Sequence, residues 1–393
     1  MKKVIFGTAL ASMALLSACS SDNELANVET TANNAIGFHV VGNKAETRAN
    51  IIGADNITST DFNVFAFTRN EDGTDGTIFM GEKANQLGQK GIKIVNKSGE
   101  WDYANDADIH YWPANTALNF YAVSPGSFEK VEENMEMTNV YGWNISNNTK
   151  TISYSPLDEY AGRTDKKNLD VMYAIAPNQT QTKENGGRVK FQFKHILSQV
   201  VFKAKTQLEN MEVEIKEMKI HNPWTKGTYT LPTTSSEKGT WALTDPTIGS
   251  KRGAFTVVKD KSISVTSKET ATEISVDGPM LFVPQTLTAW DVKKTKGDAD
   301  KAGESYLEIT CKIKQDGVYV FAPEGNYGTL YVPFGPTWEQ GKRYTYTLIF
   351  GGGYDEHGLP ILQPINFEAE AGNWVDDIKN NNNGNDININ IDK

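Results

Sequence analysis

The chain has 393 residues, 38% hydrophobic, 10% aromatic and 22% charged, an ordinary globular composition that excludes wholesale disorder and predicts about two domains at roughly 100–200 residues each. Its 39 lysines and arginines against 49 aspartates and glutamates leave a net charge of −10, which argues against nucleic acid as a partner because phosphate binding needs a cationic face. Two cysteines and five histidines are too few for a disulfide framework, a four-cysteine zinc site or a histidine-rich metal centre.

Lys2 and Lys3 precede an apolar, small-residue run over 4–18, too short for a stable bilayer span and the right length for a signal-peptide core. The run ends Leu16-Ser17-Ala18-Cys19, which resembles a bacterial lipobox. Residues 1–18 are therefore expected to be a signal peptide, with the Cys19 sulfur taking the lipid. Ser20 follows rather than an aspartate, which by known sorting rules favours the outer membrane. Loss of 1–18 removes two lysines, so the mature chain carries 37 basic against 49 acidic residues, about −12. With Cys19 lipidated, Cys311 has no partner for an intrachain disulfide. Its place in the alternating stretch 306–314 predicts a buried structural thiol.

Residues 20–34 are polar and are expected to form a flexible tether. Residues 36–41 read as a first strand. The segment 44–50, small and polar around Arg48, is by its chemistry a surface turn of the kind proteases cut. Beyond it, strand signals dominate: 61–68, then an Asn/Asp/Gly turn over 70–76, then 117–123 and 169–176. The clearest helical candidate is the short stretch 128–135. A polar break at 178–188 separates this region from a second set of strands: 189–193, 196–204, 211–220, 280–284, 306–313, 329–332 and 343–350. In 211–220 the apolar residues keep period two except for one slip near Glu217, which predicts a bulge. The charged stretch 293–304 is read as a solvated hairpin loop. Many short strands with Gly/Asn/Asp turns predict an all-β fold of β-sandwiches, not βαβ units. The expected divisions are a tether and first strand over 19–48, one domain over 49–185 and another over 188–376.

No catalytic constellation is present, and no cofactor or metal is expected. The run Gly351-Gly352-Gly353 follows a strand and precedes no helix, so it reads as a turn, not a phosphate loop. There is no nucleophile elbow and no His-Glu-x-x-His zinc motif. Asn70, Asp72 and Asp75 are oxygen-rich but miss the EF-hand spacing. Glu368 and Glu370 share one strand face and read as solvated. Tyr111, Trp112, Trp224 and Trp290 suit core or rim packing, with sugar stacking as the alternative.

The tail is the segment with the plainest pattern. Residues 379–385 form an Asn-rich linker with nothing apolar to bury. In 386–392, Ile387, Ile389 and Ile391 alternate with Asn388 and Asn390, so the three isoleucines line one face of a strand about 23 Å long. Such a strand can fold back onto its own sheet or enter an open groove of another subunit. Each buried isoleucine would contribute about 1.5–3 kcal/mol. Head-to-tail donation of this kind builds filaments, not closed dimers.

Several stretches together resemble the Bacteroidales fimbrillins, the type V pilin family that builds surface fimbriae. They are the lipobox at Cys19, Ile36-Gly37-Phe38, Thr47-Arg48-Ala49, 63–67, Tyr111-Trp112-Pro113, 118–122, 193–200, 282–287, 341–346 and Trp374. The resemblance implies two transthyretin-like β-sandwich domains and export as a lipoprotein held in outer-membrane lipid through Cys19. It implies cleavage between Arg48 and Ala49 by a trypsin-like protease, removing the lipid and the strand 36–41. The C-terminal strand of another fimbrial subunit would then fill the vacated groove, giving a surface fimbria that serves adhesion and biofilm formation. Tip and anchor subunits of the same family, with a host or bacterial receptor, and a glycan-binding lipoprotein that does not polymerise, are the alternatives.

Overall fold

The computed structural model describes residues 34–41, 60–81, 91–126, 142–156, 168–182, 185–243, 252–362 and 365–373. Among these the regular elements are β-strands, apart from one α-helix at Lys296–Ala302 and a 3-10 turn at Asp106–Asp108. The all-β expectation therefore holds. The helical candidate 128–135 lies outside the described residues.

The N-terminal region is a nine-stranded sheet. Its order is Arg188–Gln192, Gly37–Val41, Glu100–Tyr103, Ile92–Lys97, Asp61–Arg69, Leu118–Ser124, Met172–Gln179 and Lys194–His195, with Asp75–Met80 also paired to Asp61–Arg69. Its central strands are apolar on both faces because both faces are covered. From Asp61–Arg69, Phe62, Val64 and Ala66 enter one core, while Phe65 and Phe67 enter another. Leu118–Ser124 divides in the same way, Leu118, Phe120 and Ala122 against Tyr121 and Val123. Period-two geometry sends alternate side chains to opposite faces, so a strand buried twice reads as an unbroken apolar run.

On one face the sheet curls over itself. Phe38, Phe62, Phe120 and Phe191, from four different strands, meet with ring centroids 5.8–6.5 Å apart. The other face is covered by a four-stranded sheet ordered Thr240–Ala242, Gly227–Thr230, Lys150–Tyr154, Gly142–Ile145. Strands from both sides of the polar break at 178–188 thus pair with each other. Lys150 fastens the two sheets, its ammonium 2.5 Å from Asp75 and over the rings of Phe67 and Tyr121.

The C-terminal region is a sandwich. One sheet runs Thr272–Glu273, Ser198–Thr206, Lys342–Phe350, Asn366–Asn373, with Met280–Phe282 also on Ser198–Thr206. The other is eight-stranded and is built around Met211–Trp224 and Tyr306–Gln315. Their inner faces share one core that includes Phe202, Ile215, Ile309, Cys311, Tyr346 and Leu348. The slip near Glu217 is a bulge: pairing to Tyr306–Gln315 shifts register between Ile215 and Glu217. That restores the alternation, so Met218 and Ile220 return to the core.

Two expectations need correction. The stretch 293–304 is not only a solvated loop: it contains the helix Lys296–Ala302, capped by the Thr295 side chain and closed by Gly303 in the left-handed region. Ala299 is buried beside Trp290 and Tyr306. The signals were the Thr-x-x-Asp start and the glycine stop, which the charge of the stretch masks. The glycine run also differs, because Gly352–Tyr354 is a short strand paired with Pro360–Leu362, and only Gly351 turns the chain.

Candidate functional site

The leading strand Gly37–Val41 occupies an unusual place. It comes first among the described residues but lies inside its sheet, between Arg188–Gln192 and Glu100–Tyr103. It runs parallel to Arg188–Gln192 over five residues, from Gly37 opposite Arg188 to Val41 opposite Gln192. On the other side it pairs with Glu100–Tyr103 only at Phe38 and Trp101. Just upstream, Ala35 bridges Tyr111, the Ile36 amide donates to the His110 carbonyl at 2.9 Å, and the Gly37 amide donates to the Gly187 carbonyl at 3.0 Å.

Alternation decides what the strand buries. Ile36 and Phe38 are 1% and 2% exposed, and Val40 packs against the same core. The Phe38 ring stacks on Phe191 and meets Tyr103 and Phe62 edge-on. Burial of Ile36 and Phe38 contributes about 1.5–3 kcal/mol each, and each backbone bond adds roughly 0.5–1.5 kcal/mol net. Burial also pushes the Tyr103 hydroxyl up to about 12. His39 points to solvent.

The slot has two further ties that do not belong to the leading strand. The Trp112 indole N–H donates to the Gly187 carbonyl at 2.9 Å, the same oxygen that Gly37 uses. Arg188 and Glu100, on the two neighbouring strands, form an ion pair at 2.8 Å. Neither contact was legible in the sequence, since each joins residues far apart in the chain.

The other candidates resolve as follows. Trp112 and Trp290 are 4% and 2% exposed, and Trp224 is stacked by the Arg252 guanidinium at 4.1 Å, so none of the three is an open sugar platform, whereas Tyr111 is 56% exposed. Asp75 is taken up by Lys150, Asn119 and Tyr121, and Asp72 accepts from Thr74. The oxygen-rich turn is thus satisfied from within. Among the described residues no cluster of His, Cys, Asp or Glu could hold a metal. Glu368 is exposed and pairs with Lys205. Cys311 is fully buried, and burial pushes its thiol well above its ordinary range. Cys19, Arg48, Ala49, Ile387, Ile389 and Ile391 lie outside the described residues.

Comparison with known proteins decides the family. The family model described as fimbrillin-like matches residues 47–374. The chain belongs to the fimbrillin-like family. A solved fimbrial protein from Bacteroides vulgatus shares its fold, with a TM-score of 0.57 and 18% identity, covering 87% of this chain and 100% of that one. The fimbrial anchor protein Mfa2 from Porphyromonas gingivalis aligns over 85% of this chain and 97% of its own, at 11% identity and a TM-score of 0.32, too distant to carry an argument. No curated protein sequence matches. Membership supports a structural role in a cell-surface fimbria or in adhesion, and association with other fimbrial subunits.

Proposed function

We propose that this fimbrillin-like chain is a polymerising subunit of a surface fimbria, assembled by exchange of the leading strand for the C-terminal strand of another copy. The carrying observation is the position of Gly37–Val41: an interior strand supplied by a segment that precedes Arg48 in the chain. A cut between Arg48 and Ala49 would leave that strand held by non-covalent contacts alone. Its departure would strip Arg188–Gln192 of the strand it pairs with and open the Phe62, Tyr103 and Phe191 rings to water. A sheet with such a gap recruits any strand of matching pattern. Ile387, Ile389 and Ile391 supply the same one-faced alternation as Ile36, Phe38 and Val40. The family match begins at 47 and ends at 374, so both segments to be traded lie outside the shared body.

In this account Cys19 carries lipid that holds the precursor at the outer membrane until cleavage, and the fimbria then serves adhesion and biofilm formation. The two domains would be 49–185 and 188–376, with the strands within 188–195 and 227–242 lent to the N-terminal sheets, and 379–393 as linker and donor. The burial of Trp112 and Trp290 takes two of the candidate rings away from a glycan-binding lipoprotein. Limited trypsin treatment of the purified precursor should cut after Arg48 and yield SDS-resistant ladders. Deletion of 385–393 should abolish them. Ladders unchanged by the deletion would remove the donor role of the tail.

A further inference from the structure

The leading strand and the proposed donor match on their buried faces and differ on their exposed faces. The leading strand presents Gly37 and His39 outward, and by its alternation the tail, as a strand, would present Asn388 and Asn390 there. The difference matters at Gly37. Arg188 lies opposite Gly37 in the parallel ladder, and its side chain crosses the solvent face of the leading strand to reach Glu100 on the far neighbour, 2.8 Å from carboxylate to guanidinium. The crossing needs a residue without a side chain beneath it. A Cβ on Gly37 would sit 2.9 Å from Cγ of Arg188, closer than packed carbons approach. Gly37 is extended, without a positive φ, so its glycine is explained by this close approach and not by backbone conformation.

We propose that Gly37 and the Arg188–Glu100 pair form a clasp that distinguishes the chain's own leading strand from an incoming strand. The proposal rests on strand exchange as the mode of assembly. While the leading strand is in place, the ion pair straddles it and slows its exit. Any strand with a side chain at that position, the asparagine-bearing tail included, must push Arg188 aside and sits in the slot unclasped. The clasp therefore favours the self-filled subunit and opposes premature exchange, without slowing the departure of a bound donor. Both charged groups are partly exposed, with side-chain accessibilities of 44% and 66%, so the hold is modest and sensitive to salt.

The test uses the full mature chain nicked at Arg48 and follows release of its leading fragment. Glu100→Gln should speed release about two- to fivefold, the range of an exposed ion pair. Raising the salt concentration should speed release of the wild type and leave Glu100→Gln unchanged. Gly37→Asn should release as fast or faster, and adding Glu100→Gln to it should change nothing further. A synthetic 385–393 peptide, captured by the nicked protein, should dissociate at the same rate from wild type and Glu100→Gln. Equal effects of Glu100→Gln on the native fragment and on the Gly37→Asn fragment, or no effect on either, would overturn the clasp. If the 385–393 peptide is not captured at all, strand exchange with the tail fails, while the two leading fragments still decide whether the clasp discriminates.

Discussion

Each region of the molecule places a strand between a parallel and an antiparallel neighbour, and the two strands are held very differently. In the C-terminal sheet, Lys342–Phe350 pairs parallel with Ser198–Thr206 over eight residues and antiparallel with Asn366–Asn373 over eight more. In the N-terminal sheet, Gly37–Val41 pairs over five residues on its parallel side and at one position on the other. The first is tied into the sheet along its whole length. The second is anchored chiefly by Ile36 and Phe38 in an aromatic core and by a ladder on one side. Topology adds to the contrast, because Lys342–Phe350 follows and precedes strands of its own sandwich, whereas Gly37–Val41 can be cut from the body by one break near Arg48. An interior strand of this second kind fills a gap while held along one side only, which is what a replaceable strand requires.

The comparison can be broken most sharply at Phe38. Phe38→Ala should weaken the hold on the leading strand by about 3–5 kcal/mol and leave the unfolding midpoint of the body that remains after strand release unchanged. Fragment release from the nicked protein and denaturant unfolding of the remainder measure the two separately. A single cooperative loss would place the leading strand within one folding unit. Leu348→Ala, at a fully buried position of the matching C-terminal strand, should cost about 2–5 kcal/mol and appear only in global unfolding.

A smaller effect sharpens the slot itself. Trp112→Phe keeps a ring but loses the N–H bond to Gly187, for about 0.5–1.5 kcal/mol. The loss should be greater after the leading strand has left, because the Gly187 carbonyl then has no Gly37 amide to accept from. Thermal shifts of the intact and strand-released forms should therefore separate.

The C-terminal sandwich also offers an acid-dependent control. Glu214 is held down to about 2, first by the Tyr327 hydroxyl and then by Lys312 and Ser262. Its folded value lies below its ordinary one, so its contribution is complete above about pH 4.3, the ordinary glutamate value, and is lost as the pH falls toward about 2. Tyr327→Phe should lower Tm near neutrality by a small amount that shrinks to nothing near pH 2, with release of the leading fragment unaffected. Tm measured across that range checks it.

Much of this architecture was legible because strands announce themselves by period two. The bulge at Glu217 was visible as one slipped apolar residue, and Ile36 and Phe38 marked the leading strand by themselves. The parallel partnership of Gly37–Val41 with Arg188–Gln192 was not legible, because alternation says which face is buried and nothing about which strand lies alongside. The pairing of Gly227–Thr230 with Lys150–Tyr154 was hidden for the same reason. Of the slot, the buried residues could be read, but Trp112 was read only as a packing or stacking ring, since its N–H bond depends on where Gly187 falls in space. The Arg188–Glu100 crossing left one trace, a glycine within a strand pattern, which signals a close approach without naming what approaches.

The central claim, that the slot of Gly37–Val41 is the slot another copy's tail fills, is tested most directly by cross-linking in trypsin-assembled polymer made from an equal mixture of unlabelled and nitrogen-15-labelled chains. Zero-length coupling of carboxylates to amines should join Asp386 or Asp392 of one copy to Lys190 of another as mixed-label products, with the fragment 34–41 absent from the polymer. Cross-links confined to single copies, or a polymer that still retains residues 34–41 in every subunit, would contradict it.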